Sequence, residues 1–160
     1  SEVALELNSL SKSHNMAGWR IGWVFGNENY ISTILKVKSN MDSGIFLGLQ
    51  NAAIAAFKNS AEWHMEQNKI YAERKKYVLE IFDLLNVQYD KNSSGLFVWG
   101  KVPDNVISTK TFVDEILYKA NVFITPGFIF GSNGERFIRA SLCATKENIT
   151  EAVARIKSAL

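Results

Sequence analysis

The stretch from Ala61 to Leu85 contains neither proline nor glycine, and it is rich in glutamate, lysine and glutamine. Those residues favour helix, and the two residues that most often end a helix are missing over its whole length. Ser60 stands directly before the stretch and can cap its first turn. The sequence therefore predicts one long helix, on which the charged residues 73–76 form a solvent-exposed face. Its inward face is predicted from an apolar stripe: Tyr71, Val78, Ile81, Phe82 and Leu85.

On the N-terminal side of this helix, the pattern predicts two strands and two shorter helices. Alternation of apolar and polar residues predicts a strand over residues 3–8, and a short apolar run predicts another over residues 20–26. Asn27 can cap a helix over residues 28–38. A stretch rich in alanine and leucine predicts a further helix over residues 46–58.

After the long helix, the sequence predicts a smaller unit of mixed strands and helices. Helical spacing of apolar residues predicts helices over residues 109–120 and 146–160, the second capped by Thr145. Phe97 and Trp99 are expected in the core of this unit rather than against a ligand. The predicted strands are residues 87–89, 96–100, 122–125 and 136–142. This mixture of elements predicts an α/β fold.

The composition argues against several classes of partner. The chain of 160 residues has a formal net charge of +2, which is too small to favour nucleic acid or an acidic membrane surface. No apolar run reaches the length of a membrane-spanning helix, and His14 and His64 lack the cysteine neighbours of a metal site. Cys143 is the single cysteine, so no internal disulfide is possible. We therefore expect a cytoplasmic protein with no metal, no membrane and no nucleic-acid partner.

Lys12 lies between two serines and is followed, within the same segment, by Arg20 in a turn bracketed by glycines. A lysine amine can attach to an aldehyde carbon, provided that the rest of the aldehyde-bearing molecule is held nearby. Serine hydroxyls and an arginine guanidinium are suitable groups for holding a phosphate. A lysine that can attach to an aldehyde carbon, beside groups that can bind a phosphate, indicates pyridoxal phosphate chemistry.

The whole segment Ser9–Gly22, with the sequence SLSKSHNMAGWRIG, resembles the active-site lysine motif of class I/II aminotransferases of fold type I. The resemblance implies the C-terminal portion of such an enzyme, with the last strands and helices of a large domain, a long interdomain helix and a small α+β domain. It divides the chain into residues 1–60 for the remnant of the large cofactor-binding domain, 61–86 for the interdomain helix and 87–160 for the small domain.

The same resemblance implies roles for five residues. Lys12 is expected to hold pyridoxal 5'-phosphate as a Schiff base and to serve as general base and acid for the α-proton of the substrate. Ser9, Ser11 and Arg20 match positions around the cofactor phosphate. Arg139 matches the arginine that binds the substrate α-carboxylate. The activity implied is transfer of an amino group between an amino acid and a 2-oxo acid, in a homodimer.

Arg136 is a competitor for the role of Arg139. On a regular strand, residues three apart point to opposite faces, so only one of the two arginines can serve a given site. The resemblance favours Arg139.

Two alternatives to the aminotransferase interpretation remain open at this point. The same fold also supports C–S lyase and β-eliminating enzymes that use pyridoxal phosphate, and a non-catalytic folded domain follows if these residues are the natural product. In the resembled family, several cofactor-binding elements precede the lysine motif. We therefore expect these 160 residues to be part of a longer enzyme, to be inactive alone, to bind the cofactor poorly and to self-associate.

Overall fold

The computed structural model describes residues 3–159. The chain divides into two compact units, Ser1–Trp63 and His64–Leu160. Strands and helices are mixed along both units, so the predicted α/β class is confirmed. Among the described residues, no helix is both long enough and apolar enough to cross a membrane.

The first unit contains two strands and three helices, as well as a short 3₁₀ helix, Ala17–Trp19. The strands and helices are β1 (Glu6–Ser9), α1 (Leu10–Ser13), β2 (Gly22–Phe25), α2 (Glu28–Met41) and α3 (Leu47–Ala56). The predicted cap is confirmed, because the Asn27 side chain accepts a hydrogen bond of 2.9 Å from the backbone N–H of Asn29. The strand predicted over residues 3–8 begins later, at Glu6, where antiparallel pairing with Phe25 starts.

The core of the first unit is small. Four residues are buried in it, Leu10, Ile21, Ala53 and Ala56, and three more pack partly against them. Many large apolar side chains of this unit are exposed instead, among them Leu7, Trp19, Phe25, Leu35, Val37, Met41, Phe46, Leu47, Ile54 and Phe57. The exposed apolar surface is therefore large relative to the buried core.

The second unit contains most of the long helix and a four-stranded sheet. Its elements are α4 (Ala61–Leu84), β3 (Gln88–Tyr89), β4 (Phe97–Lys101), α5 (Thr109–Ala120), β5 (Thr125–Pro126), β6 (Phe137–Ser141) and α6 (Lys146–Ala159). The strand order is β3-β4-β6-β5, and every neighbouring pair is antiparallel. The caps predicted for α4 and α6 are confirmed: Ser60 accepts from the N–H of Trp63, and Thr145 accepts from the N–H of Asn148.

The strand predicted over residues 122–125 is wrong in its position. Helix α5 ends at Ala120, and Asn121 after it has a left-handed backbone with φ of 52°. The chain then crosses toward the sheet. Ile124 is buried in the core on the way, and only Thr125 and Pro126 pair with β6. The strand is short because pairing begins only where the chain reaches the sheet edge, and Pro126 has no N–H to continue it.

The core of the second unit joins the long helix to one face of the sheet. The apolar stripe predicted on α4 is confirmed, since Val78, Ile81, Phe82 and Leu85 are buried. Tyr71 packs partly buried against the same cluster. The remaining core side chains come from the sheet and its flanking segments, and from α5 and α6: Val87, Val98, Val102, Val113, Ile116, Ala120, Ile124, Ile138, Leu142, Ile149, Val153 and Ile156.

The solvent-exposed face predicted for residues 73–76 is wrong for Arg74 and Lys75. Both are half-buried. Arg74 donates from Nη1 to the carbonyl oxygen of Leu142 at 3.2 Å, and Lys75 donates from Nζ to the carbonyl oxygen of Lys91 at 2.8 Å. Arg74 and Lys75 therefore connect the middle of α4 to segments that are distant in sequence. Backbone carbonyl oxygens require hydrogen-bond donors, and these two side chains supply them.

Candidate functional site

The segment around Lys12 is a loop that is closed at its base by the β1–β2 pair. Ser9, the last residue of β1, lies opposite Gly22, the first residue of β2. The N–H of Leu10 donates to the carbonyl oxygen of Ile21 at 3.2 Å, and both side chains are buried in the core of the unit. The two ends of the loop are thereby fixed together, so that Lys12 and Arg20 lie on a single closed loop.

Lys12 is held on the one-turn helix α1 by hydrogen bonds of the neighbouring serines. The Ser9 hydroxyl caps α1 by accepting from the N–H of Ser11 at 3.2 Å, and the Ser13 hydroxyl donates to the carbonyl oxygen of Ser9 at 3.3 Å. The side chain of Lys12 is exposed. It lines a concavity together with Leu7, Asn8, Ser9 and Ser13.

Arg20 ends the short 3₁₀ helix in a left-handed backbone conformation, with φ of 55°. Such a conformation is unfavourable for a residue with a side chain, and it persists where the surrounding structure enforces it. The Arg20 side chain turns back over the loop, where Nη1 donates to the carbonyl oxygen of Ala17 at 2.9 Å. Its other N–H groups have no hydrogen-bond acceptor within residues 3–159. Most of the guanidinium is therefore available to an anion.

An aromatic cluster anchors the end of α1. The His14 ring stacks on Trp63 with centroids 5.9 Å apart, and it meets Phe57 edge-on at 6.1 Å. Phe57 in turn meets Trp23 edge-on at 5.2 Å. The Nδ1 atom of His14 lies 2.9 Å from the Ser13 hydroxyl. These contacts connect the residue next to α1 with β2 and the end of α3, which limits movement of the Lys12 loop.

Arg139 belongs to the second unit and lies on β6. It stands opposite Trp99 on β4 and opposite Thr125 on β5. Two rings flank its guanidinium: the Cζ atom is 4.2 Å from the centroid of Phe97 and 3.8 Å from that of Phe130. Within residues 3–159, Arg139 has no carboxylate partner and its guanidinium makes no hydrogen bond.

Arg136, the competitor for this role, is committed to the backbone instead. Its Nη2 atom donates to the carbonyl oxygen of Pro103 at 2.7 Å, and its Nη1 atom donates to the carbonyl oxygen of Val106. Both are backbone acceptors from the segment before α5, which Arg136 fastens to the sheet. Of the two arginines, Arg139 is thus the one with N–H groups left for a ligand.

The prediction that Phe97 and Trp99 are core residues is wrong. Val98 is 1% exposed and faces the core, whereas Trp99 next to it is 39% exposed on the other face. Phe97 and Trp99 share their face with Arg139, as strand alternation and antiparallel pairing require. Strict alternation counted from Val98 is the signal that places them there. Phe130, for which the sequence predicted no role, reaches the same face from the loop before β6.

A family profile described as aminotransferase class I and II matches residues 1–156. An LL-diaminopimelate aminotransferase of Maridesulfovibrio salexigens is 40% identical over 155 residues, which are 97% of this chain and 40% of that protein. A second one, of Moorella thermoacetica, is 39% identical over 159 residues, 99% of this chain and 40% of its own. The chain thus spans about 40% of the length of these relatives.

Solved structures show the same similarity. Apo-BacF of Bacillus subtilis superposes with a TM-score of 0.87 at 36% identity, covering 99% of this chain and 41% of that one. The aromatic aminotransferase of Pyrococcus horikoshii superposes with a TM-score of 0.88 at 27% identity, covering 98% of this chain and 43% of that one. The strands and helices within each unit therefore follow an arrangement that is found in these two solved structures.

Proposed function

We propose that this chain, which belongs to the class I and II aminotransferases, contributes to amino-group transfer between an amino acid and a 2-oxo acid. The observation that carries the proposal is the closed loop of Ser9–Gly22, along which a lysine, serine hydroxyls and an arginine lie. Pyridoxal 5'-phosphate is the cofactor we propose for it. When bound, that group supplies an electron sink for the bonds at the α-carbon of an amino acid.

The residues of the loop fit this cofactor chemically. The Ser9 hydroxyl accepts from the N–H of Ser11, so its own proton stays available for a phosphate oxygen. Ser11 and Arg20 supply a further hydroxyl and the unused guanidinium N–H groups. Lys12 supplies an exposed amine within the same loop. An amine for attachment and donors for a dianion are the groups that the cofactor requires.

In this proposal Lys12 has two tasks. Its Nζ atom would be the point of attachment for the aldehyde of the cofactor, and the same amine would accept and return the proton of the substrate α-carbon. Leu10, buried directly beside it, and the aromatic contacts of His14 keep α1 in place during this exchange. Arg139 binds the α-carboxylate of either substrate through two parallel N–H groups, since no carboxylate within residues 3–159 competes for them.

The names of the relatives suggest a substrate. Eight curated relatives, 36–41% identical, are called LL-diaminopimelate aminotransferase. We take LL-diaminopimelate as the proposed amino donor. Solved structures at 27–30% identity carry other names, including aspartate and aromatic aminotransferases. Aspartate and an aromatic amino acid are therefore the competing donors in the test.

The organisation of the complete protein is part of the proposal. We infer that the first unit belongs to a large cofactor-binding domain, and that the sheet and helices after α4 form the small domain. The large exposed apolar surface of the first unit supports further packing in a longer chain and in a homodimer. A cytoplasmic location is proposed, which suits a chain whose one cysteine, Cys143, is free and exposed.

The first test locates the cofactor, using the longest reading frame that contains these residues. Incubation with pyridoxal 5'-phosphate, reduction with borohydride and peptide mass spectrometry are expected to find the adduct on Lys12. A Lys12→Ala variant is expected to lose the adduct, while a control variant at another exposed lysine, Lys58→Ala, keeps it. An adduct on a different lysine, or an unchanged adduct in Lys12→Ala, would contradict the proposal.

The second test measures the reaction. With LL-diaminopimelate and 2-oxoglutarate, we expect glutamate to form faster than with aspartate or an aromatic amino acid as the donor. Lys12→Ala is expected to lower the rate about a thousandfold or more. Release of pyruvate and ammonia from a sulfur-containing amino acid, without glutamate, would favour the lyase alternative instead. The 160-residue chain alone is expected to show no transfer, since it spans about 40% of the relatives' length.

A further inference from the structure

An arginine in water samples many side-chain conformations, and much of that freedom is lost when it grips a carboxylate. Arg139 differs, because its guanidinium carbon lies within 4.2 Å of the centroids of two rings, Phe97 and Phe130. Stacking on rings restrains the plane of the guanidinium but uses none of its N–H groups. Arg139, Phe97 and Phe130 together form the arginine clamp.

The position of Phe130 in the clamp depends on a close approach of two glycines. Phe130 ends the 3₁₀ helix Gly127–Phe130, and a second one, Ser132–Gly134, follows it before β6. A Cβ at Gly127 would stand 2.6 Å from the Gly134 carbonyl oxygen and 2.7 Å from that of Phe137. Only glycine permits this approach, so the loop lies tightly against the start of β6 and delivers the Phe130 ring to Arg139.

Other aromatic contacts hold the rings themselves. Trp99 meets Phe130 edge-on with centroids 5.4 Å apart, and it meets Phe137 edge-on at 6.4 Å. The guanidinium of Arg139 lies 5.9 Å from the Trp99 centroid. Ring contacts of this kind are worth more than the area that they bury. The clamp is therefore supported from the sheet as well as from the loop.

The charges of the second unit leave the clamp without a competing anion. Several other cations on its surface have carboxylate partners, as in the pairs Lys101–Asp104, Lys110–Asp114, Lys146–Glu73 and Lys157–Glu80. Arg139 has none within residues 3–159. A half-buried guanidinium with restrained faces and unused N–H edges is prepared for an external planar anion.

We propose that Phe97 and Phe130 are positioning residues, which fix the Arg139 guanidinium in the plane needed for a two-point hold on the substrate α-carboxylate. This inference rests on the proposed function, because the carboxylate belongs to the amino acid and 2-oxo acid of that reaction. The rings do not touch the reacting atoms, and their effect is exerted through Arg139. Removing a ring restores the freedom of the guanidinium, so substrate binding weakens while the chemical step is retained.

The first experiment needs no activity. In the 160-residue chain, ¹⁵N relaxation of the Arg139 Nε–H group reports how restrained the guanidinium is. We expect slow motion in the wild type and in Ile129→Leu, an exposed neighbour of Phe130 in the same 3₁₀ helix. Faster motion is expected in Phe97→Leu, Phe130→Leu and their double variant. Equal motion in the wild type and the double variant would overturn the clamp.

The second experiment measures steady-state kinetics in the longest reading frame that contains these residues. For Phe130→Leu and Phe97→Leu we expect KM for both substrates to rise about tenfold, with kcat within about twofold of the wild type. Phe130→Tyr keeps an aromatic ring, so its KM is expected to equal that of the wild type. Ile129→Leu is likewise expected to leave KM unchanged. An unchanged KM in the double leucine variant would overturn the inference.

The two experiments separate the inference from the function on which it rests. A wild-type protein without aminotransferase activity would refute the proposed function, and the relaxation measurement would still decide whether the rings restrain Arg139. An active wild type with unaffected ring variants would refute the positioning role alone. A loss of kcat with unchanged KM in Phe130→Leu would also refute it, because a positioning residue for the carboxylate acts on binding.

Discussion

Ser9 and Gly22 lie directly opposite each other at the base of the lysine loop, and their backbones approach closely. A Cβ on Gly22 would stand 2.9 Å from the carbonyl oxygen of Asn8 and 3.4 Å from the Cβ of Ser9. Ser9 is also the cap of α1, the helix that carries Lys12. The pairing of β1 with β2 thus requires glycine at position 22, the end of the motif, and the same pairing positions Ser9 at its beginning.

The first prediction concerns this contact. Gly22→Ala is expected to destabilise the first unit by about 2 kcal/mol, because the added methyl group forces β1 and β2 apart. Gly18→Ala is the matched control within the same loop, since a Cβ there would meet nothing within 4 Å. Urea unfolding followed by circular dichroism measures both. Equal stability of the two variants would contradict the proposed role of the close approach.

The second prediction separates the two arginines near β6. Arg136→Met is expected to lower the unfolding free energy by about 2 kcal/mol, because the carbonyl oxygens of Pro103 and Val106 lose a charged donor. Arg139→Met is expected to cost less than about 1 kcal/mol, since among residues 3–159 its guanidinium has aromatic rings but no hydrogen-bond acceptor as partners. Urea titrations of both variants check this. A larger loss for Arg139→Met would mean that it is chiefly a structural residue.

The third prediction is a dependence of stability on pH. The hydrogen bond from Lys146, 2.6 Å long, holds the pKa of the Glu73 carboxyl below its ordinary value of 4.5. A carboxyl with a lowered pKa in the folded state stabilises it above its ordinary pKa, and the contribution is lost as the pH falls through the lowered value. Lys146→Gln removes this contribution, so its stability is expected to fall less steeply between about pH 6 and about pH 3.

The control for this prediction is Lys91→Gln, which removes an exposed lysine that is in no ion pair within residues 3–159. Its unfolding midpoint is expected to change with pH as in the wild type. Both charges of the Glu73–Lys146 pair are about half exposed, so the difference is expected to be small and to decrease with added salt. Parallel curves for Lys146→Gln and the wild type at low salt would refute it.

The fourth prediction is self-association of the 160-residue chain. None of the 14 residues of α2 is buried, and Leu35 and Val37 on it are each 60% exposed. Light scattering is expected to show a mass that increases with concentration, and the double variant Leu35→Lys and Val37→Lys is expected to reduce it. Ile107→Lys, at a residue 100% exposed in the second unit, serves as the control. A monomer at every concentration would count against the prediction.

The helices were predictable because their signals are local. The predicted bounds of α5 agree with Thr109–Ala120, and those of α4 and α6 agree within one residue, apart from Leu160, which lies outside the described residues. Caps, helix-forming residues and apolar spacing act within a few residues of each other along the chain. The environments of Arg74 and Lys75 could not be predicted in this way, since their acceptors on Leu142 and Lys91 are brought to them by folding.

The candidate site, like the fold, was predictable from the sequence only in part. The sequence by itself determined the lysine motif and the family, because the motif is contiguous in Ser9–Gly22 and the family pattern covers residues 1–156. It also predicted the five candidate site residues, whose roles stay predictions. Only the tertiary structure decided that Arg136 is committed to backbone carbonyls while Arg139 is flanked by Phe97 and Phe130. The reason is physical: strand register and the contact of Gly127 with Gly134 join segments that are distant in sequence, and local preferences do not encode which side chains meet there.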